Sequence, residues 1–520
     1  MRTPDMLRRI GVSLIVLGWG VALTHAGTER VSPAVLERLS AQPHAALDVI
    51  VSYRSHPGSI ARSHVQSLGG SVTKSFRYTQ AQAVRIPASM VERLASRAEV
   101  AWVSLDAPVS GEMDVARPAA GMPTSSSGSS FTGSGVGVAL IDSGVGPHAE
   151  VQTFKLGVDL LTGRTSSSRD SRSDPYGHGT YLAGVVLGDG GHSEQKRYRG
   201  FAPSAELVSL RVLDGTGAGT TSRVISALEW VMDHRHEYKI RVVNLSLGHP
   251  VLEPAALDPL VQAVERLWQA GIVVVCSAGN RGRNGYFTVS SPGNSSRVIT
   301  VGASNDRNTM TLSDDVMATY SSRGPTRFDH TLKPDLVAPG NRVISARPMT
   351  SSLDATYADL RRKSYPDKST LEHFEISGTS VSAAAVTGAV ALMLHKDPSL
   401  NPDTVNARLM ASARKAPGTN PYMRGAGSLN VAAALVHTGR TQNAVSPKVL
   451  RLDAAPYLSV SDHTAIWGDT AIWGDTAIWG DTAIWGDTAL WSDTAIWGDT
   501  AIWGDTAIWG DTVQTVIRGE

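Results

Sequence analysis

A chain of 520 residues exceeds what one ordinary hydrophobic core holds, so two or more domains are expected. Its 48 basic and 47 acidic side chains leave a formal charge of +1, which argues against a nucleic-acid footprint or a polybasic membrane surface. The single cysteine, Cys276, rules out an intrachain disulfide; closing the run Ile272-Val273-Val274-Val275, it reads as a small core residue.

At the N-terminus, Arg2, Arg8 and Arg9 precede the apolar segment Ile10 to Leu23, and Thr24-His25-Ala26 offers a small-residue cleavage site. Residues 1–26 therefore read as a signal peptide, and export is expected; the apolar segment is short for a membrane anchor. Residues 46–108 read as a small α+β unit. Leu47 to Tyr53 alternates like a strand, Ile60 to Leu68 has helical spacing, and Gly69-Gly70 is a turn. Ser71 to Ile86 follows as a hairpin, Val91 to Ala95 as a helix and Val100 to Ser104 as a strand. That β-α-β-β-α-β order resembles a ferredoxin-like unit. Residues 109–132 turn to Gly, Ser, Pro and Ala, the composition of a flexible, proteolysable linker.

From residue 133 to 437, apolar strands alternate with helical segments, the signature of a parallel sheet covered by helices on both faces. Strands are expected at Leu207 to Leu213, Arg241 to Leu247, Ile272 to Ser277 and Val298 to Val301, with helices at Ser222 to His234 and Pro259 to Ala270. The first strand, Val136 to Ile141, runs into Asp142, at the strand end where ligand and catalytic groups of open α/β sheets collect. His178 lies between two glycines before an apolar helix. Ser380 opens a run of small and apolar residues reaching Leu394, too short to span a bilayer and best read as a buried helix. Taken alone, Asp142 is a turn former, His178 a loop residue and Ser380 an N-cap. Together, a carboxylate, an imidazole and a hydroxyl at a helix N-terminus are the three parts of an activated nucleophile.

Those motifs carry a resemblance. Asp142 in Ile-Asp-Ser-Gly, His178 in Gly-His-Gly-Thr, Ser380 in Gly-Thr-Ser and Asn280 in Ser-Ala-Gly-Asn are similar to the signatures of the subtilases, the subtilisin-like serine proteases. The match runs from about Gly133 to Leu435, with one departure: Ala384 stands where the family commonly has proline. The resemblance implies a subtilisin-like, mostly parallel α/β fold in which Asp142, His178 and Ser380 form the triad and Asn280 donates to the oxyanion. It implies substrate-binding segments at Gly217 and Gly219 and at Ser246, Leu247 and Gly248, which take an extended peptide as an added strand. By its position, the unit at 46–108 is similar to the family's inhibitory pro-domain. Calcium is common in the family, but the sequence offers no compact acidic ligand cluster, so no metal or other cofactor site is assigned. The polar insertion at 347–375 either overhangs the cleft or is a plain surface excursion.

Beyond a second linker, 438–463, a hexad Thr-Ala-Ile-Trp-Gly-Asp recurs over residues 464–512 and places eight tryptophans, Trp467 to Trp509, at six-residue spacing. Hairpins, a small β-solenoid or an unfolded low-complexity tail would each satisfy that pattern. Surface attachment, polymer binding and self-association are its candidate uses. Two function classes follow. One is a secreted endopeptidase acting on polypeptides and made as a zymogen that its own pro-domain silences. The other is a cell-surface attachment protein in which the protease-like domain is a scaffold for the repeats. An intact triad favours the first.

Overall fold

A computed structural model describes residues 28–459, apart from 112–130, 169–171, 308–314, 366–368, 416–419, 443 and 453–454. The expected export signal, most of the first linker and the Trp hexads lie outside the described residues.

The N-terminal unit contains helix α1 (Pro33–Ala41), strand β1 (Ala46–Tyr53), α2 (Ser59–Ser67), β2 (Ser71–Ser75), β3 (Ala81–Pro87), α3 (Val91–Ala95) and β4 (Val100–Leu105). Its strands form an antiparallel sheet in the order β2-β3-β1-β4. The unit starts before residue 46. Ser32 caps α1 by accepting from the Val35 N–H, Pro33 fills the first helical position, and the Ser32 N–H donates to the Val103 carbonyl at 2.9 Å. Val31 and Val35 join its core.

Strand β5 (Pro108–Gly111) leaves this unit for the second body. There the chain forms β6 (Gly137–Asp142), β7 (Phe154–Asp159), β8 (Arg164–Ser166), α4 (His178–Leu187), β9 (Glu206–Arg211), β10 (Ala218–Thr220), α5 (Thr221–His234), β11 (Ile240–Leu245) and β12 (Leu247–Pro250). It continues with α6 (Pro259–Gln269), β13 (Val273–Ser277), β14 (Ser290–Ser291), β15 (Ile299–Asn305), β16 (Val316–Met317) and β17 (Leu336–Pro339). After these come β18 (Val343–Ala346), α7 (Ser352–Thr356), β19 (Arg361–Arg362), β20 (His373–Ile376) and α8 (Thr379–Lys396). The main sheet is parallel from β17 through β15, β13, β11, β6 and β9 to β7, with β16 and β8 pairing antiparallel at its margins. Every residue of β6 and of β13 is buried, as strands covered on both faces require.

Helix α8 is buried from Thr379 to Leu394 and packs on α4, β11, β13 and β15. A helix apolar on all sides belongs in the interior. Among the described residues, no helix is long and apolar enough to cross a membrane. Cys276 is buried in the main core, which pushes its thiol far above the ordinary range and keeps it unreactive.

The two bodies meet over an apolar and polar interface. Ile50, Phe76, Ala81 and Ala83 of the first join the main core of the second. Asp106 accepts from the Ser222 N–H at 2.8 Å and hydroxyl at 2.5 Å, at the first turn of α5. Further along α5, Glu229 accepts from the Tyr78 N–H at 2.9 Å, and Asp233 pairs with Arg77 at 2.7 Å. Buried Glu253 accepts from the Trp102 indole at 2.5 Å and the Ser104 hydroxyl at 3.0 Å.

Residues 438–447, read from sequence as linker, pack on the second body instead. Ser446 is buried, donating its hydroxyl to Asp335 at 2.6 Å and its N–H to the Ser296 carbonyl at 2.8 Å.

Candidate active site

Asp142 ends β6, and its carboxylate oxygens stand 2.9 and 3.0 Å from Nδ1 of His178. Both side chains are buried, at 1% and 0% exposure, so the pair is shielded from water. The Ser143 N–H, at 2.8 Å, fixes the same carboxylate. A carboxylate so placed holds the imidazole with Nδ1 protonated, which leaves Nε2 to act as base.

His178 is the first residue of α4, and the turn before it is tightly specified. Gly177 has φ +107°, and a side chain there would run into Ser351. Asp174 accepts from the Gly177 N–H at 2.7 Å and from the Thr180 N–H and hydroxyl at 2.7 and 2.6 Å, tying down the start of α4. Burial pushes the Asp174 carboxyl up against the pull of those bonds. Tyr176 stands 6.3 Å from the His178 ring, and its hydroxyl is pushed up to about 12, first by burial and then by the Asp142 charge.

Ser380 is the second residue of α8. Helices α4 and α8 pack side by side, and Gly388 lies against the carbonyl of Val186. Ile141 pairs with Leu245 on adjacent parallel strands, so Asp142, which holds His178, and Ser246, which holds the Ser380 carbonyl, leave neighbouring strand ends. Ser246 donates its hydroxyl to the Ser380 carbonyl at 2.9 Å, linking the start of α8 to the start of β12.

Asn280 follows β13. Its Oδ1 accepts from the Thr379 N–H at 3.0 Å and hydroxyl at 3.1 Å, one residue before Ser380. Those bonds fix the amide orientation and leave Nδ2 buried without a partner among the described residues. A buried, unpaired donor costs stability, of order 1–3 kcal/mol, unless a ligand uses it.

The expected substrate-binding residues line up beside β5. That strand runs antiparallel between β10 and β12, in the order β10-β5-β12-β14. Gly219 pairs with Val109, Leu247 with Gly111 and Gly248 with Ser110. Gly217 lies under the Tyr176 ring, which would meet any side chain placed there. The insertion at 347–375 docks on the same wall: the Ser352 and Leu353 N–H groups donate to Pro175 and Tyr176 carbonyls at 2.9 and 3.1 Å. The sequence reading left that alternative open, and it missed both β5 and the Thr379–Asn280 link. Among the described residues, no group of three or more His, Cys, Asp or Glu side chains is placed to hold a metal ion.

A family model described as the subtilase family matches residues 133–428. The chain belongs to the subtilase family. It is 36% identical over 351 residues to serine protease AprX of Bacillus subtilis (strain 168), covering 66% of this chain and 76% of that protein. Against subtilisin E of the same organism the identity is 30% over 379 residues, covering 71% of this chain and 84% of the relative. Fervidolysin from Fervidobacterium pennivorans, a keratinolytic enzyme related to subtilisin, superposes with a TM-score of 0.61 at 19% identity. That likeness covers 80% of this chain and 67% of that one, and it shows the fold alone. As a subtilase, the protein is a serine endopeptidase, and its substrates are polypeptides.

Proposed function

We propose that this endopeptidase is an exported zymogen acting through Asp142, His178 and Ser380, with residues 28–111 as its inhibitory pro-domain. The observation that carries the reading is β5. A segment of the chain's own N-terminal body lies between β10 and β12 as an extended strand, the way a peptide substrate adds to a sheet edge. β12 begins beside Ser380 and β5 runs opposite to it, so the bound strand heads toward the nucleophile. Main-chain pairing of this kind is indifferent to side chains and suits an enzyme that takes many polypeptides.

In the proposed reaction, His178 Nε2 removes the Ser380 hydroxyl proton as Oγ attacks the peptide carbonyl, and then returns it to the departing amine. Asp142 fixes the imidazole tautomer and stabilises the cation that forms. Asn280 Nδ2 and the Ser380 N–H at the start of α8 donate to the oxyanion. The Nδ2 group supports this role because it is already oriented and otherwise unpaired. The small antiparallel sheet of the N-terminal body, with helices on it, supports a ferredoxin-like inhibitor. Its occupied cleft keeps the enzyme silent until the strand is cut.

Expression of the Ser380→Ala chain tests this. It should accumulate uncut while the parent matures, and N-terminal sequencing of the active parent should begin beyond residue 111. Full activity with residues 28–111 still covalently attached would sink the zymogen reading.

A further inference from the structure

The turn that leads into His178 is held from two sides. On one side, Asp174 accepts from the Gly177 and Thr180 N–H groups. On the other stands the insertion at 347–375, which carries none of the motifs around Asp142, His178, Asn280 or Ser380. The Ser352 N–H donates to the Pro175 carbonyl at 2.9 Å, and the Leu353 N–H to the Tyr176 carbonyl at 3.1 Å. The Ser352 hydroxyl reaches the Gly215 carbonyl at 2.7 Å, so α7 joins the turn to the segment that carries Gly217. At Gly177 the approach is so close that a side chain would run into Ser351 and Pro348. The insertion thus touches all three residues that precede His178.

A helix of five residues does not hold its place alone. A buried carboxylate fixes this one. Asp354 accepts from Nε and Nη2 of Arg347 at 2.6 and 2.8 Å, and from Nε and Nη2 of Arg361 at 2.9 and 3.1 Å. Both guanidiniums present the two-donor fork that fits a carboxylate. Each also holds backbone, Arg347 the Leu371 carbonyl and Arg361 the Asp354 carbonyl, both at 2.8 Å. Arg347 enters the insertion, Arg361 begins β19 and Leu371 leads back to β20, so one carboxylate closes the insertion on itself. Among the described residues, neither arginine has a second acid partner. Without the Asp354 charge, two cations would face each other at the base of α7.

We propose that Asp354 is a positioning residue for catalysis. Through α7 it holds the turn Pro175-Tyr176-Gly177, and with the turn the His178 imidazole, in the place from which it serves Ser380. The proposal rests on the endopeptidase reading, in which His178 is the base. A base displaced by a fraction of an ångström leaves substrate binding alone but transfers its proton poorly, so the loss falls on kcat and not on KM.

Two substitutions reach this link from opposite ends. Asp354→Asn removes the charge that closes the insertion. Ser352→Pro removes the N–H and hydroxyl that reach Pro175 and Gly215. It leaves α7 standing, because Ser352 is the first helical residue and Ser351 before it is extended. Matured enzymes are compared with the parent for kcat and KM on a small peptide, and for the rate of fluorophosphonate labelling normalised to the final titre. Both substitutions should lower kcat and the labelling rate together by about tenfold or more, the scale of a sub-ångström displacement, with KM within about twofold of the parent. Asp354→Glu, which keeps the charge, should restore most of the loss. If Ser352→Pro keeps the parent's kcat and labelling rate, the turn does not depend on α7 and the proposal is overturned; that variant decides alone should Asp354→Asn fail to mature. A rise in KM at unchanged kcat, or a lower melting temperature with both constants unchanged, overturns it as well. In each of these cases a parent that titrates fully and cleaves the peptide keeps the endopeptidase reading, whereas a parent that does neither removes both.

Discussion

If the N-terminal body is released as proposed, Glu253 is expected to make that release depend on pH, with a definite sign. Its hydrogen-bond partners, Trp102 and Ser104, both belong to the N-terminal body, and the side chain is buried. Burial first, and the neighbouring Asp258 charge second, push its carboxyl from the ordinary 4.5 up to about 8, against the pull of the Trp102 and Ser104 bonds. Once the N-terminal body leaves, water replaces those partners and the carboxyl returns toward its ordinary value. The bound state therefore holds a proton that the free state releases. Association is strongest below about 4.5 and weakens until the pH passes about 8. Each whole pH step between those limits removes roughly 1.4 kcal/mol, a factor of ten, so the full span is worth on the order of three such steps. Asp106 and Glu229, also raised chiefly by burial at this interface, add to the same direction. The assay nicks the Ser380→Ala chain between residues 112 and 130, dilutes it, and measures dissociation by gel filtration from pH 6 to 8. Glu253→Gln keeps the acceptor and removes the charge, so its complex should stay tight at pH 8. A parent complex equally tight at pH 6 and 8, or a Gln variant with the parent's profile, would refute the reasoning.

Asp142→Asn should lower kcat by about 10⁴ through the wrong imidazole tautomer, with the melting temperature of the matured enzyme largely unchanged. Lys333→Met should destabilise the catalytic body by about 3–5 kcal/mol in urea unfolding, because it strands a buried carboxylate. Lys333 sits 2.6 Å from Asp335, which also accepts from the Thr300 N–H and the Ser446 hydroxyl. Truncation after Ser459 should leave activity on a small peptide intact, whereas truncation near Arg440 should destabilise the enzyme by removing Ser446 from Asp335; thermal unfolding of the two truncations separates these outcomes.

The local setting of the candidate triad was legible because each of its signals is local. Asp142 ends an unbroken apolar strand, and His178 and Ser380 each stand at the start of an apolar helix, so strand-end and helix-start rules find them without knowledge of the fold. Asn280 was singled out by resemblance; its distinguishing property, one amide oxygen spent on Thr379 and one nitrogen without a partner among the described residues, exists only after residues 99 apart meet. Strand β5 left no local signal. Pro108 to Gly111 open a Gly- and Ser-rich stretch, and the strands they pair with lie more than a hundred residues away. Helix α1 had a signal in Ser32-Pro33 followed by Val35, Leu36 and Leu39, but it falls between the export signal and residue 46, where the reading begins its first unit. Residues 438–447 read as linker because their polar and small composition hides their buried contacts, Ser446 with Asp335 and Ala444 with Ala407 among them.

The most direct test of the catalytic account is the site of fluorophosphonate attachment, read by peptide mass spectrometry on the matured enzyme and on the uncut chain. A single adduct on Ser380 is expected in the matured form and little or none while β5 fills the cleft. An adduct at another residue, or continued hydrolysis by enzyme that carries no adduct, would contradict the assignment of Ser380 as nucleophile.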